Sequence, residues 1–372
     1  MKLLIISTAP LIYKDNKVFA YGPYTSELIV YKKYIEKISF ACPVWTSDKE
    51  LLVSEIPFSI ENHFKLIDSN LNSFTNIFKS FFQSIYNLMI LFKAIKDADH
   101  VHLRCPGNVG LIGSFAQIFF PSKIKTAKYA GNWDPKSNQP WTYKLQKYIL
   151  SNTFLTKNIQ VLVYGEWPGQ SKNIKSFFTA TYYESEKKIV SKPALSTFVN
   201  FIFTGSLVKG KNPLYALRLV NELIKSGNNI VLNMYGEGIE RKILEDYITT
   251  NSLEQNVFLH GNQKKEILKL AYEKSHFVIL PSKSEGWPKT IAEGMFLGCV
   301  PVATKISCVP FMLDHGKRGI LLEMDLEKDR IQIQNLLSNP NDFLIKSELA
   351  QNWSQKYTME VFETEIKNLL KK

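Results

Sequence analysis

Short apolar, β-branched runs alternate with longer stretches of helical period from one end of this chain to the other. Strands separated by helices pair in parallel through crossovers, so the pattern points to βαβ units and not to a sandwich or a bundle. Strands are predicted at 3–7, 38–43, 100–104, 125–130 and 160–164, and again at 201–204, 230–235, 257–260, 276–280 and 300–303. At 372 residues the chain is too long for one ordinary core. The expected fold class is therefore α/β, with two doubly wound, Rossmann-like domains facing a cleft.

The stretch from Tyr183 to Thr197, with Glu184, Glu186, Lys187, Lys188 and Pro193, is polar and aperiodic, and the domain boundary is expected there. This separates a first domain, 1–190, from a second, 198–352. A last helix, about 357–372, follows a complete second domain and is expected to pack back on the first. Within 74–95, Phe74, Ile77, Phe78, Phe81, Ile85, Leu88, Met89 and Phe92 recur at helical spacing. The polar face of that helix carries few lysines, so it reads as packed on the first sheet and not as a membrane-surface helix.

With 45% hydrophobic and 22% charged residues the chain is an ordinary globular one. Only four apolar residues follow Lys2, which suits a first buried strand better than a signal-peptide core. No window approaches the roughly 18 apolar residues of a membrane span, and the expected location is the cytoplasm. Cys42, Cys105, Cys299 and Cys308 are scattered without a Cys-x-x-Cys pair, which reads as buried thiols. The net charge of +12 is uneven: residues 1–200 carry 24 Lys+Arg against 14 Asp+Glu, and 201–372 carry 22 against 20. Such a field implies an anionic partner for the first half, or else simple lysine enrichment. The inner face of a membrane and a phosphorylated or lipid-linked acceptor both suit it. Nucleic acid is not expected, because no zinc-finger, RNP or Lys/Arg-run signature accompanies the charge.

The chemistry concentrates in 276–304. His276-Phe-Val-Ile-Leu-Pro281 is a strand, Pro281-Ser-Lys-Ser-Glu-Gly-Trp287 a loop, and Pro288 suits the first turn of a helix that runs to Gly298. The loop then lies at the carboxyl end of a parallel strand, where open α/β sheets bind ligands. The helix start offers free N–H groups and a positive dipole end to a diphosphate. Glu285 and Glu293, eight residues apart, can border that anion site by accepting hydrogen bonds from sugar hydroxyls.

This segment, Ser284-Glu-Gly-Trp-Pro-Lys-Thr-Ile-Ala-Glu-Gly-Met-Phe-Leu-Gly-Cys-Val-Pro-Val-Ala-Thr304, resembles the retaining GT-B glycosyltransferases of family 4. The resemblance continues through Phe203-Thr-Gly-Ser-Leu-Val-Lys-Gly-Lys-Asn-Pro213, Tyr235-Gly-Glu-Gly238 and Phe258-Leu-His-Gly261, and covers most of 200–320. It implies that Glu293 holds the ribose of a UDP- or GDP-sugar, that Glu285 with the backbone of Gly286, Trp287 and Pro288 meets the donated sugar, and that Lys211 meets the diphosphate. Gly205 would let the backbone approach the phosphates, the loop after Phe258 would receive the base, and Gly236 and Gly261 would belong to the same donor site. Lys211 and Glu285 are then the catalytic pair. Where the family usually has arginine this chain has Ser206, so Lys209 or Lys283 compensates or the diphosphate is held more weakly.

In the first domain the resemblance is thinner. Tyr21-Gly22-Pro23-Tyr24 stands for the family's glycine-rich loop after the first strand, and the family histidine is absent. Asn132, Trp133 and Asp134 at a strand end either bind an acceptor sugar by stacking and hydrogen bonds or form a structural loop. Arg104 either meets an anionic acceptor or is a salt-bridged scaffold arginine.

The resemblance implies transfer with retention to a glycan or lipid-linked acceptor, in cell-surface polysaccharide or lipopolysaccharide biosynthesis, without metal or cofactor. The acceptor attacks on the face the diphosphate leaves, and the diphosphate takes the proton, so no side chain is an obligatory base. Asp97-Ala-Asp99 matches the metal-binding Asp-x-Asp of another fold, but precedes a strand directly and reads as a helix-to-strand corner. Two rivals are a sugar-nucleotide epimerase and a non-catalytic sugar-nucleotide sensor. Thr8-Ala-Pro-Leu-Ile after the first strand, in place of Gly-x-Gly-x-x-Gly, disfavours a dinucleotide oxidoreductase.

Overall fold

The computed structural model describes every residue except 48–52, 69–73, 193–194, 196–197 and 372, and of 74–81 it describes only the backbone. Pro193, Thr197 and the side chains of Phe74, Ile77, Phe78 and Phe81 thus lie outside the described residues. The chain divides into two compact units, Met1–Phe177 with Glu363–Lys372, and Phe178–Phe362.

Unit 1 opens with β1 (Lys2–Ser7), whose residues 3–7 are all buried because a central parallel strand is covered on both faces. β2 (Leu11–Lys14) and β3 (Lys17–Tyr21) form a hairpin in which Asp15 and Asn16 both have positive φ, the conformation a two-residue turn demands. Then come α1 (Gly22–Lys32), β4 (Lys37–Cys42), β5 (Val44–Trp45), β6 (Val53–Glu55) and β7 (His63–Lys65). α2 (Phe74–Asp97) leads to β8 (His100–Cys105), α3 (Asn108–Ala116) to β9 (Ile124–Tyr129), and α4 (Trp141–Ser151) to β10 (Ile159–Tyr164) and β11 (Ile174–Phe177). Seven strands form a parallel sheet in the order β11-β10-β9-β8-β1-β4-β7, and β5-β2-β3-β6 form a small separate sheet.

Unit 2 alternates strand and helix for most of its length: β12 (Val199–Thr204), α5 (Pro213–Lys225), β13 (Ile230–Tyr235), α6 (Arg241–Thr250), β14 (Val257–Leu259) and α7 (Lys265–Lys274). β15 (Phe277–Leu280), α8 (Lys289–Phe296), β16 (Val300–Thr304), α9 (Val309–Met312), β17 (Ile320–Leu322), α10 (Leu326–Leu337) and α11 (Pro340–Ser354) follow, and α12 (Met359–Leu370) starts in unit 2 but belongs to unit 1 from Glu363 on. The six-stranded parallel sheet runs β14-β13-β12-β15-β16-β17. Strand order reverses between β12 and β15, and such a switch point opens a crevice at the carboxyl ends of the strands.

Each of the ten expected strands is present to within a residue or two, in two Rossmann-like parallel sheets. The small sheet was not expected, because its strands are only two to five residues long. It also corrects the place of Gly22, which lies in no loop after β1: the β2–β3 hairpin intervenes and Gly22 is the first residue of α1. Asp97 and Asp99 are a corner, Asp97 paired with the Lys2 ammonium at 3.1 Å and Asp99 accepting the Lys2 backbone N–H at 2.7 Å. Cys42, Cys105, Cys299 and Cys308 are buried free thiols.

Candidate functional site

At the carboxyl edge of the second sheet, three glycine-bearing loops are stitched together by backbone. Gly205 donates to the Tyr235 carbonyl at 2.9 Å, Leu207 to Glu237 at 2.8 Å and Gly236 to Gly261 at 2.9 Å. The approach admits no side chain at Gly236, where φ is +140° and a Cβ would lie 2.0 Å from the Gly205 carbonyl oxygen. A Cβ on Gly205 would instead meet nothing within 4 Å, so the outer side of this loop is open. Beside it, the His260 ring stacks on Tyr235 at 4.5 Å and 14°.

The loop after β15 closes the other side of the switch point. The Lys283 N–H donates to the Gly210 carbonyl at 2.8 Å, which ties the loop to the one after β12. Across that junction the Lys211 ammonium donates to Glu285 Oε1 at 2.5 Å, with the Glu285 side chain 8% exposed and Lys211 33%. The Gly286 carbonyl accepts from Ser307 Oγ at 3.3 Å and from Cys308 Sγ at 3.0 Å, so it faces inward. Pro288 caps α8 with extended backbone and is not in its first turn; Lys289 begins the helix. The Thr290 hydroxyl holds that end to β12 by donating to the Thr204 carbonyl at 2.9 Å. Further along, a Cβ at Gly294 would lie 2.6 Å from Val278, so α8 rests directly on β15.

Glu293 is half-buried on the same helix. Its carboxylate accepts from the Thr181 hydroxyl at 2.8 Å and the Tyr272 hydroxyl at 3.3 Å, and burial raises its pKa above the usual carboxylate value. The Tyr272 and Thr204 hydroxyls are 2.5 Å apart, so one hydrogen-bonded chain runs from Glu293 to the end of β12. Thr181, Tyr272 and Thr290 were not anticipated. The spacing of Tyr272 marks only a buried helix face, and Thr181 is remote in sequence.

The structure brings Lys211, Glu285, Gly205, Ser206, Gly236 and Gly261 to one edge. Trp287 is corrected: its ring is in an aromatic core, stacked on Trp353 at 6.1 Å and edge-on to Tyr357 at 5.7 Å. Only its backbone remains for a ligand. Trp133 is corrected likewise. It is 3% exposed, lies edge-to-face with Tyr129 and donates to Gln170 Oε1 at 2.8 Å, which leaves no face for a sugar. Asn132 and Asp134 form a turn, with Asn132 Oδ1 accepting the Asp134 N–H at 2.9 Å.

Arg104 donates to Glu27 Oε2 at 2.8 Å, over the Tyr24 ring at 4.1 Å, and Lys128 donates to Glu27 Oε1 at 2.5 Å. Burial alone would raise the Glu27 carboxyl, but Lys128 and Arg104 hold it far below the usual range. Two cations share one carboxylate, so this corner of unit 1 keeps a surplus positive charge. Among the described residues no three His, Cys, Asp or Glu side chains gather as a metal site.

Residues 185–357, inside unit 2, match the family model described as "Glycosyl transferases group 1". An uncharacterized glycosyltransferase of Haemophilus influenzae is 27% identical over 168 residues, 45% of this chain and 47% of that protein. The match thus spans about half the length of that curated relative. The fold of the whole chain is similar to that of the lipopolysaccharide outer core galactosyltransferase WaaB, with a TM-score of 0.70 and 15% identity over 100% of this chain and 99% of the other. It is similar also to Anabaena HepE in complex with UDP, with a TM-score of 0.69 and 14% identity over 100% and 99%. By its two parallel sheets and its likeness to these structures the chain has the GT-B fold, and its second unit is similar to the glycosyl transferases group 1 family.

Proposed function

We propose that the chain transfers a sugar from a nucleotide-diphosphate sugar to a glycan or lipid-linked acceptor, with retention and without a metal ion. The Lys211–Glu285 pair at the β12/β15 switch point carries this reading, because it puts one cation and one carboxylate beside an open glycine loop and a helix start. On binding, the diphosphate lies along the Gly205 loop and the α8 N-terminus and draws Lys211 from Glu285. Glu285 is then free to accept from hydroxyls of the donated sugar, and Glu293 accepts from the ribose. The bond from the anomeric carbon to the diphosphate oxygen breaks, the acceptor oxygen bonds to that carbon on the same face, and its proton passes to the diphosphate. Lys211 stabilises the charge that grows on the leaving group. Lys209 and Lys283, both exposed on the two loops tied together at Gly210, supply charge where an arginine is usual.

The relatives support the substrate class: HepE was solved with UDP, and WaaB is a lipopolysaccharide outer core galactosyltransferase. Cell-surface polysaccharide or lipopolysaccharide assembly is the setting this reading favours. The test is calorimetric titration with a panel of UDP- and GDP-sugars, then product analysis by NMR with and without EDTA. One donor should bind, yield nucleoside diphosphate only when acceptor is present, and give a glycoside of unchanged anomeric configuration in EDTA. Donor breakdown without acceptor, binding without turnover, or a loss in EDTA that Mg²⁺ or Mn²⁺ restores each overturns it.

A further inference from the structure

We propose that the α2–α3–α4 face of unit 1 docks on an anionic lipid bilayer. The inference deepens the lipid-linked part of the reading above. It is tested without any donor, so its failure is separable from failure of the donor site.

Sheet order and right-handed crossovers place these three helices together. The chain moves from β7 through α2 to β8, then through α3 to β9 and α4 to β10, always toward the β11 edge, so all three lie on one face. α2 packs on α3 and α3 on α4.

Their outer surface is strongly apolar. On α2, Phe82, Ile85, Tyr86 and Met89 form one stripe at three- and four-residue spacing, with Phe82 59% and Met89 62% exposed. Phe115 and Phe119 continue it at the end of α3, with Phe119 5.2 Å from Phe92 of α2. On α4 the exposed stripe is Trp141, Leu145 and Tyr148, with Trp141 70% exposed, and Phe154 beyond it is 79% exposed. Scattered exposed apolar side chains are normal, but aromatic stripes on three adjacent helices mark an interaction surface.

Charge identifies the occupant. Residues 74–157 carry 11 Lys+Arg against 3 Asp+Glu; Lys125 is buried and Arg104 and Lys128 are taken up by Glu27, while Lys93, Lys96, Lys136, Lys144 and Lys157 are exposed. Those three acids are engaged: Asp97 and Asp99 with Lys2, and Asp134 with the Lys136 N–H. Lys93, Lys96 and Lys144 are exposed on the helices beside the stripes. Trp, Tyr and Phe flanked by lysines match the boundary between acyl chains and anionic headgroups, where aromatic rings sit and lysine stems reach outward. α2 by itself carries too few lysines to suggest this; the surface arises when its neighbours join it.

The test is co-sedimentation of the full chain with phosphatidylcholine vesicles, with and without phosphatidylglycerol. Binding is expected only with the anionic lipid, and should fall as salt rises. Lys144→Glu should weaken it about fivefold or more, and Trp141→Ser/Tyr148→Ser at least as much, in variants that melt like the parent. The parent's tryptophan emission should shift to the blue on anionic vesicles, and that shift should shrink in Trp141→Phe. No sedimentation at low salt, variants that bind like the parent, or a lipid-free dimer that Trp141→Ser/Tyr148→Ser abolishes each overturns the proposal; the last makes the face a contact between copies of this chain.

Discussion

Lys211 and Glu285 meet at 2.5 Å across two loops, whereas Glu293 is held by Thr181 and Tyr272, and these settings predict three different failures. A charged hydrogen bond is worth roughly 1.5–3 kcal/mol, so loss of one partner should cost about tenfold to a hundredfold or more. Glu293→Ala should weaken the free nucleoside diphosphate and the donor alike, since both contain ribose. Glu285→Ala should spare the nucleoside diphosphate and damage transfer. Lys211→Ala should lower turnover most, because leaving-group charge grows in the transition state. Thermal melts come first, since Glu293→Ala removes the carboxylate that the half-buried Thr181 hydroxyl and the buried Tyr272 hydroxyl share. If folded Glu285→Ala and Glu293→Ala enzymes both turn over with parental kcat and KM, the donor site has been misplaced. At this scale the motif was legible in sequence, and the hydroxyls that hold it were not.

At the scale of elements, β8 shows how a strand's alternation becomes an energetic commitment. His100 and His102 point to the same face and are buried, each within hydrogen-bond distance of Thr126 Oγ1, at 3.0 and 2.8 Å. Burial pushes His100 down to about 4 and His102 to about 3, the latter aided by His100 and Arg104. Both folded values lie below the unfolded one near 6.5, so the fold binds fewer protons than the unfolded chain does. Their contribution is complete above about pH 6.5 and is lost as pH falls toward 4, by up to roughly 1.4 kcal/mol per histidine per pH unit. Glu27, with its lowered carboxyl, is lost only at lower pH. Thermal melts at pH 7, 6 and 5 should therefore show Tm falling with acid, with a shallower slope in His100→Gln/His102→Gln. Equal slopes in parent and variant would remove the histidines as the cause.

For the whole molecule, the notable feature is that the last ten residues belong with the first unit. Glu363 accepts from Lys33 at 2.5 Å and Tyr34 at 2.7 Å, Glu365 pairs with Lys175, and Leu369 lines a pocket with Ile124, Thr156 and Ile159. Ile366, Leu369 and Leu370 are at most 8% exposed, and burying each contributes about 1.5–3 kcal/mol. That sum is comparable to the stability of an ordinary domain. Deleting 363–372 should thus raise amide exchange across 1–177 while 178–362 keeps its protection, as read by mass spectrometry of peptides. Uniform loss in both halves would mean that this segment does not belong to unit 1 alone.

Periodicity alone determined the two parallel sheets, because a buried parallel strand needs a continuous apolar run and a crossover needs a helix of fixed period. The glycines and carboxylates of the candidate site were legible too, since close backbone approach and anion seating restrict residue types locally. Tertiary structure decided the rest. It sent the rings of Trp133 and Trp287 inward, since a large aromatic gains more from burial than any local pattern reveals. It paired Lys211 with Glu285, 74 residues apart, and gave Arg104 and Lys128 one shared carboxylate. It also set the stripes of α2, α3 and α4 side by side, because adjacency on a sheet face follows strand order, which no single segment encodes.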